Sequence, residues 1–231
     1  MIEIIATTLE DAVKIQHCGG NRIELVSALS EGGLTPSYAL IKRVVNGVSI
    51  PVNVIIRPHA NSFMYTKEEI EIMKEDIMIA KSLKVNGVVF GILDKRNEID
   101  EEALIELLKV CDGIDVTFHR AIDELPNPIY GMKILVKYPQ IKTVLTSGGK
   151  GPISMNIDTI KKMMESAQHI EVMVGGGLNF ENIADIVQKT KGRQYHFGTV
   201  VREERSPLKP ILEEKAVRIV SIVEVLEERN K

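Results

Sequence analysis

The sequence predicts an α/β fold, a TIM-like (β/α)8 barrel that forms a single domain over residues 1–231. Eight apolar segments alternate with eight helical patterns at intervals of about 20 to 35 residues. The chain length also lies in the range of roughly 200–250 residues that one such barrel occupies. A doubly wound open sheet is the alternative, but Ala6-Thr7-Thr8 follows the first strand where a dinucleotide site would need GxGxxG. We therefore expect no nucleotide cofactor.

The eight strands are indicated by short runs rich in valine, isoleucine and other residues that favour extended structure. Runs that are apolar at most positions are typical of parallel strands covered on both faces. The predicted strands are residues 2–6, 22–27, 51–56, 87–93, a segment from Asp115 around Thr117, and residues 142–147, 169–174 and 194–198.

The helices are indicated by apolar residues at helical spacing and by capping residues at their starts. Thr66 and Glu69 form a capping box, and Pro128 suits a first helical turn, where its missing N–H costs little. The predicted helices are residues 9–17, 38–45, one from Thr66 to Leu83, 101–110, 129–138, one from Asn156 or Asp158 to Ala167, one capped by Asn179, and 210–228.

Composition excludes several classes of partner. The chain has 29 basic and 32 acidic residues and 4% aromatic residues, without the basic patch of a nucleic-acid-binding protein. No segment approaches the roughly 20 apolar residues of a membrane span, and the amino terminus has no secretory pattern. We expect a cytoplasmic protein that binds a small molecule or a metal ion and contacts neither nucleic acid nor membrane.

The two cysteines do not indicate a metal site. Cys18 and Cys111 are far apart in sequence and lack a CxxC or Cys/His spacing. Both follow predicted helices, so both are expected at the bottom of the barrel and well apart around it. Methionines such as Met73 and Met163 fall at helical spacings that are typical of core filling. Metal ligands are therefore left unassigned.

The candidate catalytic residues lie in or after predicted strands, at the end of a barrel where ligands bind. The run from Asp115 to Asp123 begins as a buried strand and ends in polar side chains. His119 is the candidate acid or base, and Glu24 or Asp123 could orient its tautomer. The structural alternatives are a hydrogen-bonded core histidine and, for Glu24 with Arg57, an internal ion-pair network.

Anion binding is predicted from two arginines and from glycine-rich turns. Glycines let backbone N–H groups approach an anion closely, and barrel phosphate sites often use the last two βα loops. The same turns also occur simply where a chain bends tightly. The predicted anion-binding residues are Arg57, Arg120, Ser147, Gly148, Gly149, Gly175, Gly176, Gly177 and His196, with Gly198-Thr199 as a third candidate loop.

Several motifs together resemble the CutC family, which is named for copper homeostasis. The motifs that carry the resemblance are Asn21-Arg22-Ile23-Glu24-Leu25, Glu31-Gly32-Gly33-Leu34-Thr35-Pro36-Ser37, Ile56-Arg57-Pro58, Thr117-Phe118-His119-Arg120-Ala121 and Leu145-Thr146-Ser147-Gly148-Gly149. The resemblance implies a TIM-like barrel, a cytoplasmic location, self-association as a homo-oligomer and a role in copper handling, with copper as the bound metal. The family often has cysteine directly after the Ile-Glu-Leu run, where this chain has Val26.

Two functional hypotheses result. The resemblance implies a copper homeostasis protein that binds or traffics Cu(I). The residues themselves favour an isomerase or lyase type of enzyme acting on a small anionic or phosphorylated carbonyl or sugar-like substrate. In that hypothesis Arg57 and Arg120 hold the anion while His119 moves a proton with help from Glu24.

Overall fold

The computed structural model describes residues 1–229, which form a closed barrel of eight parallel strands in sequence order. Each strand is followed by a helix, which confirms the predicted (β/α)8 fold. Residues 230 and 231, the end of the predicted domain, lie outside the described residues. The strands are β1 (Ile2–Ala6), β2 (Arg22–Leu25), β3 (Val52–Ile55), β4 (Gly87–Phe90), β5 (Asp115–Phe118), β6 (Ile141–Thr146), β7 (Glu171–Val174) and β8 (Gln194–Phe197).

The helices surround the barrel, and none of those in the described residues is long and apolar enough to cross a membrane. They are α1 (Leu9–His17), α2 (Tyr38–Gly47), α3 (Lys67–Ser82), α4 (Glu101–Val110), α5 (Pro128–Leu135), α6 (Ile157–Ser166), α7 (Ile183–Thr190) and α8 (Glu213–Arg229). A short 3₁₀ helix, Arg120–Glu124, follows β5 directly and was not predicted.

Capping residues fix where several helices begin. The Thr8 hydroxyl accepts from the Asp11 N–H at 3.0 Å. Thr66 and Glu69 form the predicted capping box, with distances of 3.3 Å and 2.7 Å between side-chain oxygens and backbone nitrogens. The Asn179 side chain accepts from the N–H groups of Glu181 and Asn182, directly before α7. These bonds satisfy N–H groups that have no partner within the helix.

Strands β2 and β4 are shorter than the sequence indicated. They were predicted to reach residues 27 and 93, but the ladders stop at Leu25 and Phe90. Beyond those points the backbone turns into the βα loops, where Ser27 pairs with Leu34 and Leu93 with Ile99 in isolated antiparallel bridges. The apolar composition of these segments reflects burial under the loops, which a single sequence does not distinguish from strand pairing.

The hydrophobic core lies between the strands and the helices. Side chains alternate along each strand, and those facing the helices, such as Ile4, Val54 and Val88, are fully buried. The strand residues that alternate with these face the barrel interior, and many of them are polar. The buried polar residues at these positions are Glu3, Arg22, Glu24, Asn53, Thr117, Thr143, Gln194 and His196. The interior is therefore the place where charges must be compensated.

Strand register brings three of these charges together. Glu3 on β1 is paired with Arg22 on β2 and with His196 on β8. The Arg22 Nε donates to Glu3 at 2.5 Å, and its Nη2 donates to Gln194 at 3.0 Å. Glu3 is 1% exposed and Arg22 7% exposed. An ion-pair network of the kind considered for the barrel interior is thus present, but it is centred on Glu3 and Arg22.

We expect Glu3→Ala to lower the free energy of unfolding by roughly 3–5 kcal/mol, because it leaves the buried Arg22 guanidinium without its carboxylate. Urea unfolding followed by circular dichroism measures this loss. Glu10→Ala is the matched control, since it removes a carboxylate from a largely exposed pair with Lys14 and should unfold close to wild type. Equal stability of the two variants would contradict the prediction.

Candidate functional site

A cavity of about 380 Å³ opens at the carboxyl ends of the strands. Several elements contribute to its wall, as expected where eight strand ends converge. Of the predicted site residues, those in the wall are Glu24, Arg57, His119, Arg120, Gly176, Gly177 and His196. The structure places the others, Asp123, Ser147, Gly148, Gly149 and Gly175, outside the set that lines the cavity. Ile5, Ile55 and Leu145 supply apolar wall.

The Glu24 carboxyl group lines the cavity and makes no hydrogen bond to any residue in the range 1–229. Its Oε2 is 3.7 Å from the Nε2 of His196, which is too long for a hydrogen bond. The Nδ1 of the same imidazole is 2.8 Å from Glu3 Oε1. His196 therefore lies between two carboxylates, one held by Arg22 and one facing the cavity.

Burial and neighbouring charges set the protonation of Glu24, His196 and Glu3. Burial raises the pKa of Glu24 to about 7; the charge of Glu3 acts in the same direction and His196 opposes it. Burial alone would raise the pKa of Glu3, but Arg22 and His196 together hold it below its usual value. Burial alone would lower the pKa of His196, but Glu24 and Glu3 hold it above its usual value. Glu24 is thus a carboxyl group that exchanges a proton near neutral pH.

His119 is held as a neutral hydrogen-bond donor. Burial and then the positive charge of Arg57 lower the pKa of His119 to about 3. Its Nδ1 accepts from the N–H of Ala121 at 3.2 Å, which leaves the proton on Nε2. That Nε2 is buried and has no partner among the described residues. The tautomer is therefore set by a main-chain N–H, and neither candidate carboxylate, Glu24 or Asp123, orients it.

Arg57 is tied to main-chain carbonyls. Its Nη1 donates to the carbonyls of Glu31 and Gly33 at 2.9 Å and 3.1 Å, and its Nη2 donates to Ala60 at 3.3 Å. The guanidinium also stacks on Phe63, 5.0 Å from the ring centroid. These bonds use much of the donor capacity predicted for an anion, so Arg57 chiefly positions the loops after β2 and β3.

The Asp123 carboxylate fills the first predicted anion loop. It accepts from the backbone N–H groups of Ser147 and Gly149 at 3.0 Å and 3.2 Å, and from the hydroxyls of Ser147 and Thr146 at 2.7 Å and 2.5 Å. Gly148 donates to the Thr146 hydroxyl at 2.8 Å. The loop after β6 is thus an anion cradle, but its anion belongs to the protein.

Arg120 connects this filled loop to the cavity. Its Nε donates to Asp123 at 2.9 Å and its Nη2 to Ser147 at 3.2 Å, while the side chain is 49% exposed. The guanidinium packs against Gly176, where a Cβ would lie 2.6 Å from Arg120 Nε. Only glycine at position 176 leaves space for this arrangement.

Two residues that shape the site were not identified as candidates from the sequence. Phe63 packs on His119 with ring centroids 4.8 Å apart, and it contributes to the cavity wall. Gly91 makes room for the imidazole, because a Cβ there would lie 2.4 Å from His119 Nδ1. An aromatic residue in a polar loop and a glycine at a strand end are weak signals, and neither specifies which side chain it contacts.

One cluster within the described residues has the composition of a metal site. Ligand atoms of Glu3, Glu24 and His196 lie within 4.8 Å of one another. However, Glu3 already contacts Arg22 and His196, so protein cations compensate its charge without a metal ion. The oxygen-rich set is also unlike the sulfur ligands that Cu(I) prefers. This set of ligands therefore does not match a Cu(I) site.

The cysteines lie outside this cluster and do not form a copper site together. Cys18 and Cys111 follow α1 and α4, at the end of the barrel opposite the cavity, and both are free thiols. Burial raises the pKa of Cys111 to about 12 and also raises that of Cys18. Protonated, buried thiols are poor metal ligands. Val26, where the family often has cysteine, is buried against Ile5 and Ile55.

Comparison with known proteins gives the family. The family model described as the CutC family matches residues 1–201. A human protein named copper homeostasis protein cutC homolog is 38% identical over 197 residues, which are 85% of this chain and 72% of the human protein. A CutC family protein of Pasteurella multocida is 37% identical over 84% of this chain and 80% of its own length. The chain therefore belongs to the CutC family.

Solved structures agree with this assignment. The crystal structure of the CutC protein of Streptococcus agalactiae has a TM-score of 0.80 and 37% sequence identity, and it covers 86% of this chain and 98% of its own. Phosphoribosylanthranilate isomerase from Thermotoga maritima has a TM-score of 0.65 at 15% identity, covering 97% and 98% of the two chains. At that identity the second likeness concerns the fold alone.

We expect Asp123→Asn to lower the free energy of unfolding by about 3 kcal/mol or more, since an amide offers one acceptor and turns its NH₂ toward other donors. Thermal or urea unfolding measures the change. Glu124→Gln, at the next position, is the control, because its carboxylate belongs to an exposed pair with Lys150 and should tolerate the change. An Asp123 variant as stable as the Glu124 variant would show that the carboxylate does not organise the loop.

Proposed function

We propose that the cavity catalyses proton transfer on a small anionic carbonyl compound, with Glu24 as the base. The observation that carries this proposal is the Glu24 carboxyl group, which lines the cavity, has no hydrogen-bond partner among the described residues, and has a pKa raised to about 7 by burial. A general base works best when its pKa is near the operating pH. The proposal is thus an enzyme of the isomerase or lyase type.

The neighbours of Glu24 support this role. His196 contacts Glu24 on one side and Glu3 on the other, at 3.7 Å and 2.8 Å. The two carboxylates hold the pKa of His196 above its usual value, so the imidazole carries positive charge beside Glu24 and favours its ionised, basic form. Arg22 and His196 hold the pKa of Glu3 below its usual value, so a negative charge lies behind the imidazole. These neighbouring charges oppose the effect of burial on Glu24.

His119 has the complementary role in this proposal. In the sequence hypothesis His119 moved the proton, but with a pKa of about 3 the imidazole is too weak a base to take up a proton near neutral pH. Its free, buried Nε2–H is instead suited to donate to a substrate carbonyl oxygen. A carboxylate base combined with a neutral imidazole donor is an established pairing for enolisation in barrel enzymes.

The chemical step balances with these two residues. Glu24 takes a proton from the carbon next to the substrate carbonyl, so the C–H bond breaks and an O–H bond forms on Glu24. The electron pair moves onto the carbonyl oxygen, which His119 Nε2–H stabilises as an enolate. Return of the proton from Glu24 to the same carbon gives back the substrate. Where that carbon carries a hydroxyl, the hydroxyl proton moves to the enolate oxygen, and return of the Glu24 proton to the former carbonyl carbon gives the isomeric carbonyl compound.

Solvent deuterium exchange tests the proposal. In D₂O, wild type should exchange carbon-bound protons next to the carbonyl in a member of a panel of small phosphorylated and carboxylated aldehydes and ketones, followed by ¹H NMR. The rate should rise with pH through about 7 and then level off, because Glu24 is the base only when ionised. Glu24→Gln should lower the rate at least about 100-fold.

Two controls make this test specific. Glu203→Gln removes a carboxylate outside the cavity wall and should leave the exchange rate and its pH dependence unchanged. His119→Ala should slow exchange by about 10²–10³-fold without moving the rise near pH 7, because the donor is lost while the base remains. Exchange that is equally fast in wild type and Glu24→Gln would refute the role of Glu24.

Copper handling is the second candidate, and the specific observation that favours it is the name of the human relative, copper homeostasis protein cutC homolog, at 38% identity. The chemistry of this chain supports it less well. Cys18 and Cys111 are separately buried thiols at the far end of the barrel. A Cu(I) site would therefore require ligands or a partner copy beyond the arrangement of the cavity.

A Cu(I) competition titration of the reduced protein against a calibrated chelator separates the two candidates. We expect no stoichiometric binding above the chelator background, and the same result for Cys18→Ser/Cys111→Ser, because burial keeps both thiols protonated. Tight one-to-one binding that is lost in the double variant would instead establish the copper role through these thiols.

A further inference from the structure

The loops after β7 and β8 lie side by side at the rim of the cavity. Val174 and Tyr195 are register partners in adjacent parallel strands. Gly177 and Gly198 each follow these partners at the same distance along the chain, and both line the cavity. Adjacent strands are about 4.8 Å apart, so residues of both loops can contact the same group of a ligand.

Backbone N–H groups in these two loops are free. Those of Gly176, Gly177, Leu178, Gly198 and Thr199 donate no hydrogen bond to any residue in the range 1–229. In the loop after β6, by contrast, the N–H groups of Ser147, Gly148 and Gly149 have internal acceptors. The sequence predicted three glycine-rich anion-binding loops. In the loop after β6 the N–H groups donate to Asp123 and Thr146, whereas the loops after β7 and β8 have N–H groups without an internal acceptor among the described residues.

The orientation of the first open loop favours an anion. The carbonyl of Gly177 accepts from the Asn182 side-chain NH₂ at 2.9 Å. In a trans peptide the C=O and the next N–H point in opposite directions, so the Leu178 N–H points away from Asn182. Gly176 and Gly177 have φ values of +87° and +97°, and space is open beyond Gly177, where a Cβ would meet no atom within 4 Å. The Gly177 carbonyl, which would repel an anion, is thus occupied by the Asn182 side chain.

A cation flanks the same loop. The Arg120 guanidinium packs on Gly176, and its Nη1 makes no hydrogen bond within the described part of the chain. Arginine suits phosphate because it offers several N–H donors in one plane. His119 lines the same cavity, and its buried Nε2 has no partner among the described residues. Free amides, a guanidinium edge and a further N–H donor are the features that a phosphorylated carbonyl compound would need.

We propose that the loops Gly176–Leu178 and Gly198-Thr199, with Arg120, bind the phosphate group of a phosphate monoester of a small aldehyde or ketone. This inference rests on the proposed function, because it places the phosphate at the rim and the carbonyl between Glu24 and His119. Five free N–H groups and one guanidinium edge match three phosphate oxygens better than two carboxylate oxygens. The substrate class is therefore phosphorylated carbonyl compounds rather than carboxylic acids.

Phosphate titration of protein labelled with ¹⁵N-glycine tests the site directly. The chain has 17 glycines, and after resonance assignment their amide signals report separately on each loop. Inorganic phosphate at constant ionic strength should shift the signals of Gly176, Gly177 and Gly198 in a saturable manner. The signals of Gly148 and Gly149 are the internal control, since both N–H groups already donate within the protein.

Thr199→Asp and Thr199→Asn form a matched pair for the same titration. A carboxylate at position 199 should repel the anion and raise the Kd for phosphate at least tenfold. The neutral asparagine, of the same size, should keep the Kd within about twofold of wild type. Saturable shifts confined to Gly148 and Gly149, absence of saturable shifts, or an unchanged Kd in Thr199→Asp would each overturn the proposal.

The titration is repeated with Glu24→Gln so that the two proposals can fail independently. Phosphate should bind this variant as it binds wild type, although proton exchange is lost. If phosphate binds but no phosphorylated carbonyl compound exchanges protons, the phosphate site stands and the proposed function fails. If wild type exchanges protons only in unphosphorylated compounds and phosphate does not bind, the phosphate site fails and the proposed function stands.

Discussion

The structure depends on the compensation of charge inside the barrel. A closed barrel forces every second residue of each strand into a space that is nearly free of water, and here several of these residues are ionisable. Glu3 meets Arg22 and His196 because strand register places all three at the same level. The cations of this network compensate Glu3, and within the described residues Glu24 has one oppositely charged neighbour within 4 Å, His196 at 3.7 Å. The pairing of charges inside the barrel therefore determines which ionisable group in the cavity is left without an ion pair.

The loop after β6 and the loops after β7 and β8 are similar in sequence but use their backbone N–H groups for different purposes. After β6, backbone N–H groups and hydroxyls surround the Asp123 carboxylate, which is 2% exposed. After β7 and β8, comparable N–H groups have no internal acceptor among the described residues. Arg120 contacts both sides, because it donates to Asp123 and packs on Gly176. The loop after β6, whose hydrogen-bond donors have acceptors within the protein, thus holds Arg120 in place beside the loops after β7 and β8.

Much of the fold could be predicted from the sequence, because strand and helix patterns and capping residues are local. The barrel, its eight units and the capping box at Thr66 and Glu69 follow from such patterns. The meeting of Glu24, His119 and His196 could be expected from strand ends alone. The role of Asp123 could not, because it requires the unpredicted 3₁₀ helix Arg120–Glu124, which turns this carboxylate back toward β6.

The protonation states of the site residues could be predicted from the sequence even less well than their positions. The tautomer of His119 depends on the N–H of Ala121, two residues further along the chain. The pKa of Glu24 depends on burial and on Glu3 and His196, which are distant in sequence. A sequence indicates which side chains can exchange protons, but burial and tertiary neighbours decide which of them do so near neutral pH. The candidate base therefore moved from His119 to Glu24.

Burial acts in opposite directions on these two groups, since it disfavours whichever form is charged. For Glu24 the neighbouring His196 opposes that effect, whereas for His119 the charges of Arg57 and Arg120 reinforce it. Bringing the pKa of His119 from about 3 to neutrality would take about 4 units, or roughly 5 kcal/mol. A single negative charge about 4 Å away supplies roughly 4 kcal/mol at an effective dielectric constant of 20, and less at greater distance. A phosphate monoester, with nearly two negative charges near neutral pH, supplies that same roughly 4 kcal/mol at about 8 Å. With its phosphate at that distance or farther, the proposed ligand leaves His119 neutral, so in the proposed reaction the imidazole remains a donor while Glu24 exchanges the proton.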